Sequence, residues 1–125
     1  MVVDSSVILA IFFGEPHGRW AVEQLDKNAA QLVMSTVNLS ECLIRLKDRQ
    51  PTLHEKLEAK LLGSAISFIA PDVQQACLAA EARIRFPINL GDCFAYALAC
   101  SKSFPILSID RDFQSVDCDV VLPFS

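Results

Sequence analysis

The side chains best able to do chemistry in this sequence are acids that fall just beyond short apolar stretches. Asp4 follows Met1-Val2-Val3, and Asp110 follows Ile106-Leu107-Ser108-Ile109, with Asp112 two residues later. Glu41 comes shortly after the β-branched stretch 31–36, and Asp92 directly after Gly91. In an open parallel sheet, ligands gather beyond the carboxyl ends of the strands. Asp4, Glu41, Asp92 and Asp110 can therefore converge on one edge although they are distant in sequence. Carboxylates about 4 Å apart repel by roughly 4 kcal/mol per pair at an effective dielectric near 20. A protein of ordinary stability tolerates such a nest only if protons or cations neutralise it. Hard oxygen ligands in this number suit Mg²⁺ or Mn²⁺, ions that also polarise phosphoryl groups.

Each acid also has a structural use. Asn38-Leu39-Ser40-Glu41 fits a helix capping box, Asp92 meets the positive end of a helix dipole, Asp4 can cap a helix starting near Ser5, and Asp110 can begin a turn. Capping explains the acids one at a time, whereas clustering explains why so many follow strands.

The elements that position these acids can be read from apolar periodicity. Strands are expected at residues 1–4, 31–36, 65–70, 106–109 and 120–122. Helices are expected at 5–13, 17–27, 38–49, 53–62, 73–85 and 92–101, with Gly14-Glu15-Pro16, Pro51, Pro87 and Gly91 as punctuation. Strands separated by helices imply right-handed crossovers and a mostly parallel sheet covered on both faces. The expected class is α/β, a three-layer α/β/α sandwich. At 125 residues the chain has the length of one domain, spanning residues 1–125.

Val-Val-Asp4-Ser5-Ser6, Ser-Thr-Val-Asn-Leu-Ser-Glu41, Asn-Leu-Gly-Asp92-Cys-Phe-Ala-Tyr-Ala-Leu-Ala and Leu-Ser-Ile-Asp110-Arg-Asp112-Phe, in this order and spacing, resemble the PIN-domain signature, and in detail the VapC toxins of bacterial toxin–antitoxin pairs. The resemblance implies a metal-dependent endoribonuclease that leaves a 5′-phosphate and a 3′-hydroxyl. By that likeness Asp4 and Asp92 bind or bridge the principal Mg²⁺ or Mn²⁺, and Glu41 and Asp110 complete the site through the ion or its water. The acidified water then attacks phosphorus in line without a histidine base. Asp110 ranks ahead of Asp112 because it follows the strand directly, which leaves Asp112 as an outer ligand or a turn residue. Ser6 and Ser108, the latter where relatives often carry threonine, either orient water or phosphate or cap strand ends. The likeness also implies a homodimer, and an antitoxin whose tail enters a groove near the first two helices and the helix of Glu41. Gly14-Glu15-Pro16 looks like a family feature, but a helix stop explains it, so Glu15 is given no chemistry.

Eleven basic against fifteen acidic residues leave a net charge of −4, the wrong sign for gripping RNA by bulk electrostatics. Arg45 and Arg49, at i+4 and i+8 from Glu41, are the first candidates for local RNA contact, although Arg45 can equally pair with Glu41. Lys47, Arg83, Arg85 and Arg111 follow. The five cysteines form no CxxC and read as small core residues of a reducing compartment. They do not suggest zinc, because His17 and His54 lie outside ligand spacing. The longest apolar run, residues 7–13, is too short to span a membrane and, with Trp20, reads either as surface for a partner or as part of a well-filled core. A cytoplasmic protein is expected. Two other readings compete: a catalytically silent interaction module of the same fold, and a Mg²⁺-dependent phosphatase or receiver domain. The phosphatase lacks its second aspartate, since that position is Ser6, and the receiver lacks a lysine after Lys102.

Overall fold

Very short strands build the sheet, the central ones buried on both faces. The computed structural model describes residues 1–124, with β1 (Val2–Val3), β2 (Val33–Ser35), β3 (Ser67–Ile69), β4 (Ile106–Leu107) and β5 (Val120–Val121). Successive strand residues point to opposite faces, so Val2 and Ile106 enter one core while Val3 and Leu107 enter the other. The order is β3-β2-β1-β4-β5, with every neighbouring pair parallel.

The helices are α1 (Ser5–Phe12), α2 (Gly18–Lys27), α3 (Thr36–Arg49), α4 (His54–Leu62), α5 (Val73–Arg85) and α6 (Leu90–Lys102). The sheet first grows from β1 through β2 to β3, then the chain crosses to the far side of β1 for β4 and β5. Right-handed crossovers in opposite directions require helices on opposite faces. Accordingly Val7, Ile8, Ala21 and Leu61 of α1, α2 and α4 pack on one face. Ala79 and Ala82 of α5 pack on the other with the small-residue run of α6. The growth direction reverses between β1 and β4, and the crevice beyond their carboxyl ends is the switch point at which such sheets bind ligands.

The first two strands are shorter than their apolar stretches because helix caps claim the end residues. Asp4 leaves β1 to cap α1, its carboxylate accepting from Ser6 N at 3.4 Å. Ser35 ends β2 and caps α3, its Oγ accepting from Val37 N at 3.2 Å. Helix α3 thus begins at Thr36, and the capping box expected of Asn38 and Glu41 is not formed. The genuine box belongs to α6, where Asn89 caps and accepts from Asp92 N at 2.9 Å while Asp92 accepts from Asn89 N at 3.4 Å.

Burial corrects the reading of the cysteines and decides that of the apolar run 7–13. Only Cys42 and Cys93 are buried core residues; Cys77 and Cys100 are exposed and Cys118 half-buried. Val7, Ile8, Leu9 and Ala10 lie in the core, because the first half of the 7–13 run faces the sheet from α1. The large apolar side chains left in solvent are others, Val73 and Ile84 of α5 among them. Among the described residues, no helix is long and apolar enough to cross a membrane.

Candidate metal centre

The switch point gathers the four leading acids. Asp4, Glu41, Asp92 and Asp110 line one pocket of about 320 Å³, together with Ser6, Ile44, Arg45 and Asn89. Asp4 enters at the end of β1, Asp110 just past β4, Glu41 from the second turn of α3 and Asp92 from the first turn of α6. One ligand atom from each of Asp92, Asp110 and Asp112 lies within 4.8 Å of the other two, so Asp112, though exposed, reaches the same centre.

Capping and clustering turn out to be the same geometry, because hydrogen bonds hold one oxygen of each carboxylate. Asp4 Oδ2 accepts from Ser6 Oγ at 2.6 Å and Ser108 Oγ at 3.0 Å. Glu41 Oε1 accepts from Asn38 Nδ2 at 2.8 Å and Ser5 Oγ at 3.3 Å. Asp92 uses Oδ2 for its capping box, and Asp110 uses Oδ1 to accept from Asp112 N at 2.9 Å. The second oxygen of each receives none of these bonds. Asp4 Oδ1 is the clearest case: it is buried without any partner, a costly state for an anion unless something positive meets it.

Ser6 and Ser108 therefore act on Asp4. Ser108 is fully buried and also accepts from Asp110 N at 3.0 Å, while Ser6 Oγ accepts from Ile109 N at 3.1 Å. Together they zip the end of β1 to the end of β4 and fix the orientation of Asp4.

The protonation energetics agree with a site built for a cation. Burial, with Glu41 and Asp110 adding repulsion and the two serine hydroxyls opposing it, pushes Asp4 up to about 6. Burial, then the charges of Asp4 and Asp110, pushes Asp92 up to about 7. Beneath them burial, with the charges of Asp4 and Glu41, pushes the Cys42 thiol up to about 12, so Cys42 stays a neutral core side chain. An oxygen-only donor set, a buried orphan oxygen and two carboxylates reluctant to ionise together fit Mg²⁺ or Mn²⁺.

Periodicity did not expose two supporting residues. Asn38 is fully buried, and its Nδ2 donates both to Glu41 Oε1 at 2.8 Å and to Gly91 O at 3.0 Å. Both partners can only accept, which fixes the amide orientation, and Asn38 thereby ties α3 to the first turn of α6. Gly91 has no side chain because Glu41 occupies the space: an added Cβ would lie 2.6 Å from Glu41 Oε1. The blocking atoms are the end of a flexible side chain, so Gly91→Ala should fold, helped by the better helix propensity of alanine, but displace Glu41. Melting should stay within a few degrees of the parent, while the RNA cleavage that the resemblance implies should fall at least about tenfold (~1.4 kcal/mol of barrier). A Gly91→Ala protein cleaving at the parent rate would show that the place of Glu41 is immaterial.

Of the basic residues, Arg45 borders the pocket and is exposed, and it forms no ion pair with Glu41. The only side-chain ion pair among the described residues joins Arg85 to Asp117 at 2.7 Å, which engages Arg85 elsewhere. Arg49 lies over the Phe13 ring, 4.0 Å from its centroid, and does not line the pocket.

Comparison with known proteins agrees with this geometry. The family model for the PIN domain matches residues 1–118. The chain belongs to the PIN domain family. It is 34% identical over 128 residues to VapC ribonuclease Mb2004c of Mycobacterium bovis, a match covering 95% of this chain and 91% of that protein. The figures are the same for Ribonuclease VapC36 of Mycobacterium tuberculosis. Among solved structures, a toxin–antitoxin complex from Klebsiella pneumoniae superposes with a TM-score of 0.79 at 19% identity, covering 98% of this chain and 97% of that one. Mycobacterium tuberculosis VapC20, a sarcin-ricin loop cleaving toxin, gives 0.78 at 18% identity over 90% of this chain and 92% of that one. These structures share the PIN fold, with the same three-layer α/β/α architecture.

Proposed function

We propose that this PIN domain is a single nuclease domain that hydrolyses RNA phosphodiesters with Mg²⁺ or Mn²⁺ and serves as the toxin of a toxin–antitoxin pair. The observation that carries the reading is the acid nest, in which each carboxylate keeps one oxygen outside its supporting hydrogen bonds. The ribonuclease names of its relatives point the same way.

Asp4 and Asp92 would hold the ion, with Glu41 and Asp110 completing its shell and Asp112 at the outside. When bound, it would polarise the phosphoryl oxygens and make water acidic enough to attack near neutral pH. The chain's own part is positioning. Ser6 and Ser108 orient Asp4, Asn38 and Gly91 set Glu41, and the α6 capping box sets Asp92. No histidine lines the nest, so the carboxylates are the bases at hand, and Arg45 offers a cation at the rim.

An apolar groove of about 330 Å³ between α1, α2 and α4, with Ile8, Ile11, Val22, Leu25 and Leu61 in its walls, is the surface we assign to an antitoxin tail. Its third wall is α4, not the helix of Glu41. Val73 and Ile84, exposed by 81% and 87%, are surface that a second copy in a homodimer would cover. A receiver domain is disfavoured. Its sheet order would be 2-1-3-4-5, and the acid beyond β3, Asp72, caps α5 by accepting from Gln75 N at 2.8 Å.

The test has two arms. Purified protein should cleave a mixed RNA pool with Mn²⁺ or Mg²⁺ and stop in EDTA. Its expression should arrest growth, and co-expression of the adjacent reading frame should relieve the arrest. Cleavage that survives EDTA overturns the metal assignment, and folded, metal-supplied protein that cleaves no RNA leaves the silent interaction module as the reading.

A further inference from the structure

The acid nest is not a closed cup. It shares Ser6, Leu9, Arg45 and Asp110 with a second depression of about 410 Å³, bounded on its far side by Glu15, Pro16 and His17. The two form one trough, with Arg45 on the divide. His17 begins α2 in the left-handed region, at φ 71°, where a non-glycine residue is uncommon and invites a functional question. Its ring is exposed and meets Phe124 edge-on, with centroids 6.1 Å apart. The Arg111 guanidinium lies 3.9 Å from the Phe124 ring centroid, and Arg111 directly follows Asp110. The His17 ring is therefore the aromatic group that lines the trough, on its far wall, and Phe124, which lines a separate hollow, backs it.

We propose that this extension is a nucleotide subsite for single-stranded RNA: with the scissile phosphate at the nest, the adjoining phosphate lies against Arg45 and the adjoining base against the His17 ring, which Phe124 holds in place from behind. The proposal rests on the ribonuclease reading above. A chain of net charge −4 cannot retain RNA by its overall field, so local cations must do so, and Arg45 is exposed at the required place. Aromatic rings accept any base face, and that is how proteins hold single strands without reading sequence. Duplex bases are already stacked and paired, hence unavailable to such a wall. Glu15 is the opposing charge; it is exposed, borders a further hollow shared with Gly14 and Arg19, and sits at the far end of the trough.

The experiment uses a fluorescein-labelled mixed-sequence single-stranded octaribonucleotide, the same RNA as a duplex, and an acidic peptide of similar length. Binding is read by anisotropy in Mg²⁺ on the Asp92→Asn background, and KM and kcat in the parent background. Arg45→Ala, His17→Ala and Phe124→Leu should each weaken single-strand binding about tenfold and raise KM while kcat changes less than threefold. Phe124→Tyr should restore binding, Arg45→Ala should reduce the salt slope by about one, and Lys102→Ala, at the opposite end of α6, should match the parent. Parent-like binding and KM in all three variants, while the parent cleaves RNA, overturns the subsite alone. So does an equal or greater loss of duplex binding, or loss confined to the acidic peptide. RNA neither bound nor cleaved by any form of the protein overturns the subsite and the ribonuclease reading together.

Discussion

Asp92→Asn should abolish RNA cleavage while leaving the protein as stable as before, or more so, when metal is absent. Asparagine occupies the same volume and caps about as well as aspartate, and its side-chain oxygen can still accept from Asn89 N, so the capping box that starts α6 survives. What disappears is an anionic ligand in a nest where Asp92 is already pushed up to about 7, chiefly by burial and then by Asp4 and Asp110. Removing that charge relieves repulsion at neutral pH, and melting of the metal-free variant at pH 7.5 should equal or exceed that of the parent. Cleavage should fall at least about 1,000-fold, or ~4 kcal/mol of lost transition-state stabilisation. Asp110→Asn should behave similarly, whereas Asp112→Asn, at an exposed outer position, should leave more residual activity. Folded Asp92→Asn protein cleaving at the parent rate would reduce this residue to a cap. Equal losses at Asp110 and Asp112 would overturn only their ranking.

The acids were legible in the sequence because a parallel sheet leaves little choice. When a strand has two or three residues, the next polar side chain stands at its carboxyl end, as Asp4 does after β1 and Ser108 after β4, with Asp110 two residues beyond Ser108. The sheet and its helices follow from the same alternation. Asn38 was misread for a physical reason: Ser35 and Asn38 are both good caps one turn apart, and apolar periodicity does not say which one starts α3. Starting at Ser35 turns Asn38 inward, and its role then depends on Gly91 O, 53 residues away in sequence. Gly91 read as punctuation for the same reason, since only the packed structure shows the Glu41 side chain where a Cβ would be. The apolar run 7–13 leaves surface and core equally open because seven apolar residues in a row carry no facing information; the sheet decides that Val7 to Ala10 are core. His17 and Phe124 meet across more than a hundred residues, and no local pattern links them.

The stability of this PIN domain should depend on pH and on metal in one linked manner. Asp4 and Asp92 have folded-state values of about 6 and about 7, against roughly 3.9 in an unfolded chain. Between about pH 4 and pH 7 the folded state therefore holds more protons than the unfolded one, and the linkage slope is negative. Their contribution is fully present below about pH 4 and lost as pH rises through 6 and 7, so the metal-free protein should melt progressively lower from pH 5 to pH 7.5. A cation competes with those protons for the same oxygens. It should do little at pH 5, where Asp4 and Asp92 remain largely protonated, and most at pH 7.5. Metal at about 100 times its Kd stabilises by ~2.7 kcal/mol, which for a domain of this length raises Tm by about 10 °C. Binding near pH 6 should release protons, seen in calorimetry as a heat that depends on the ionisation enthalpy of the buffer. Asp92→Asn should flatten the metal-free decline and remove most of the metal response at pH 7.5. A Mg²⁺ or Mn²⁺ shift of equal size at pH 5 and pH 7.5, or millimolar metal that leaves the parent curve unmoved at pH 7.5, would mean that the nest is not where the cation binds.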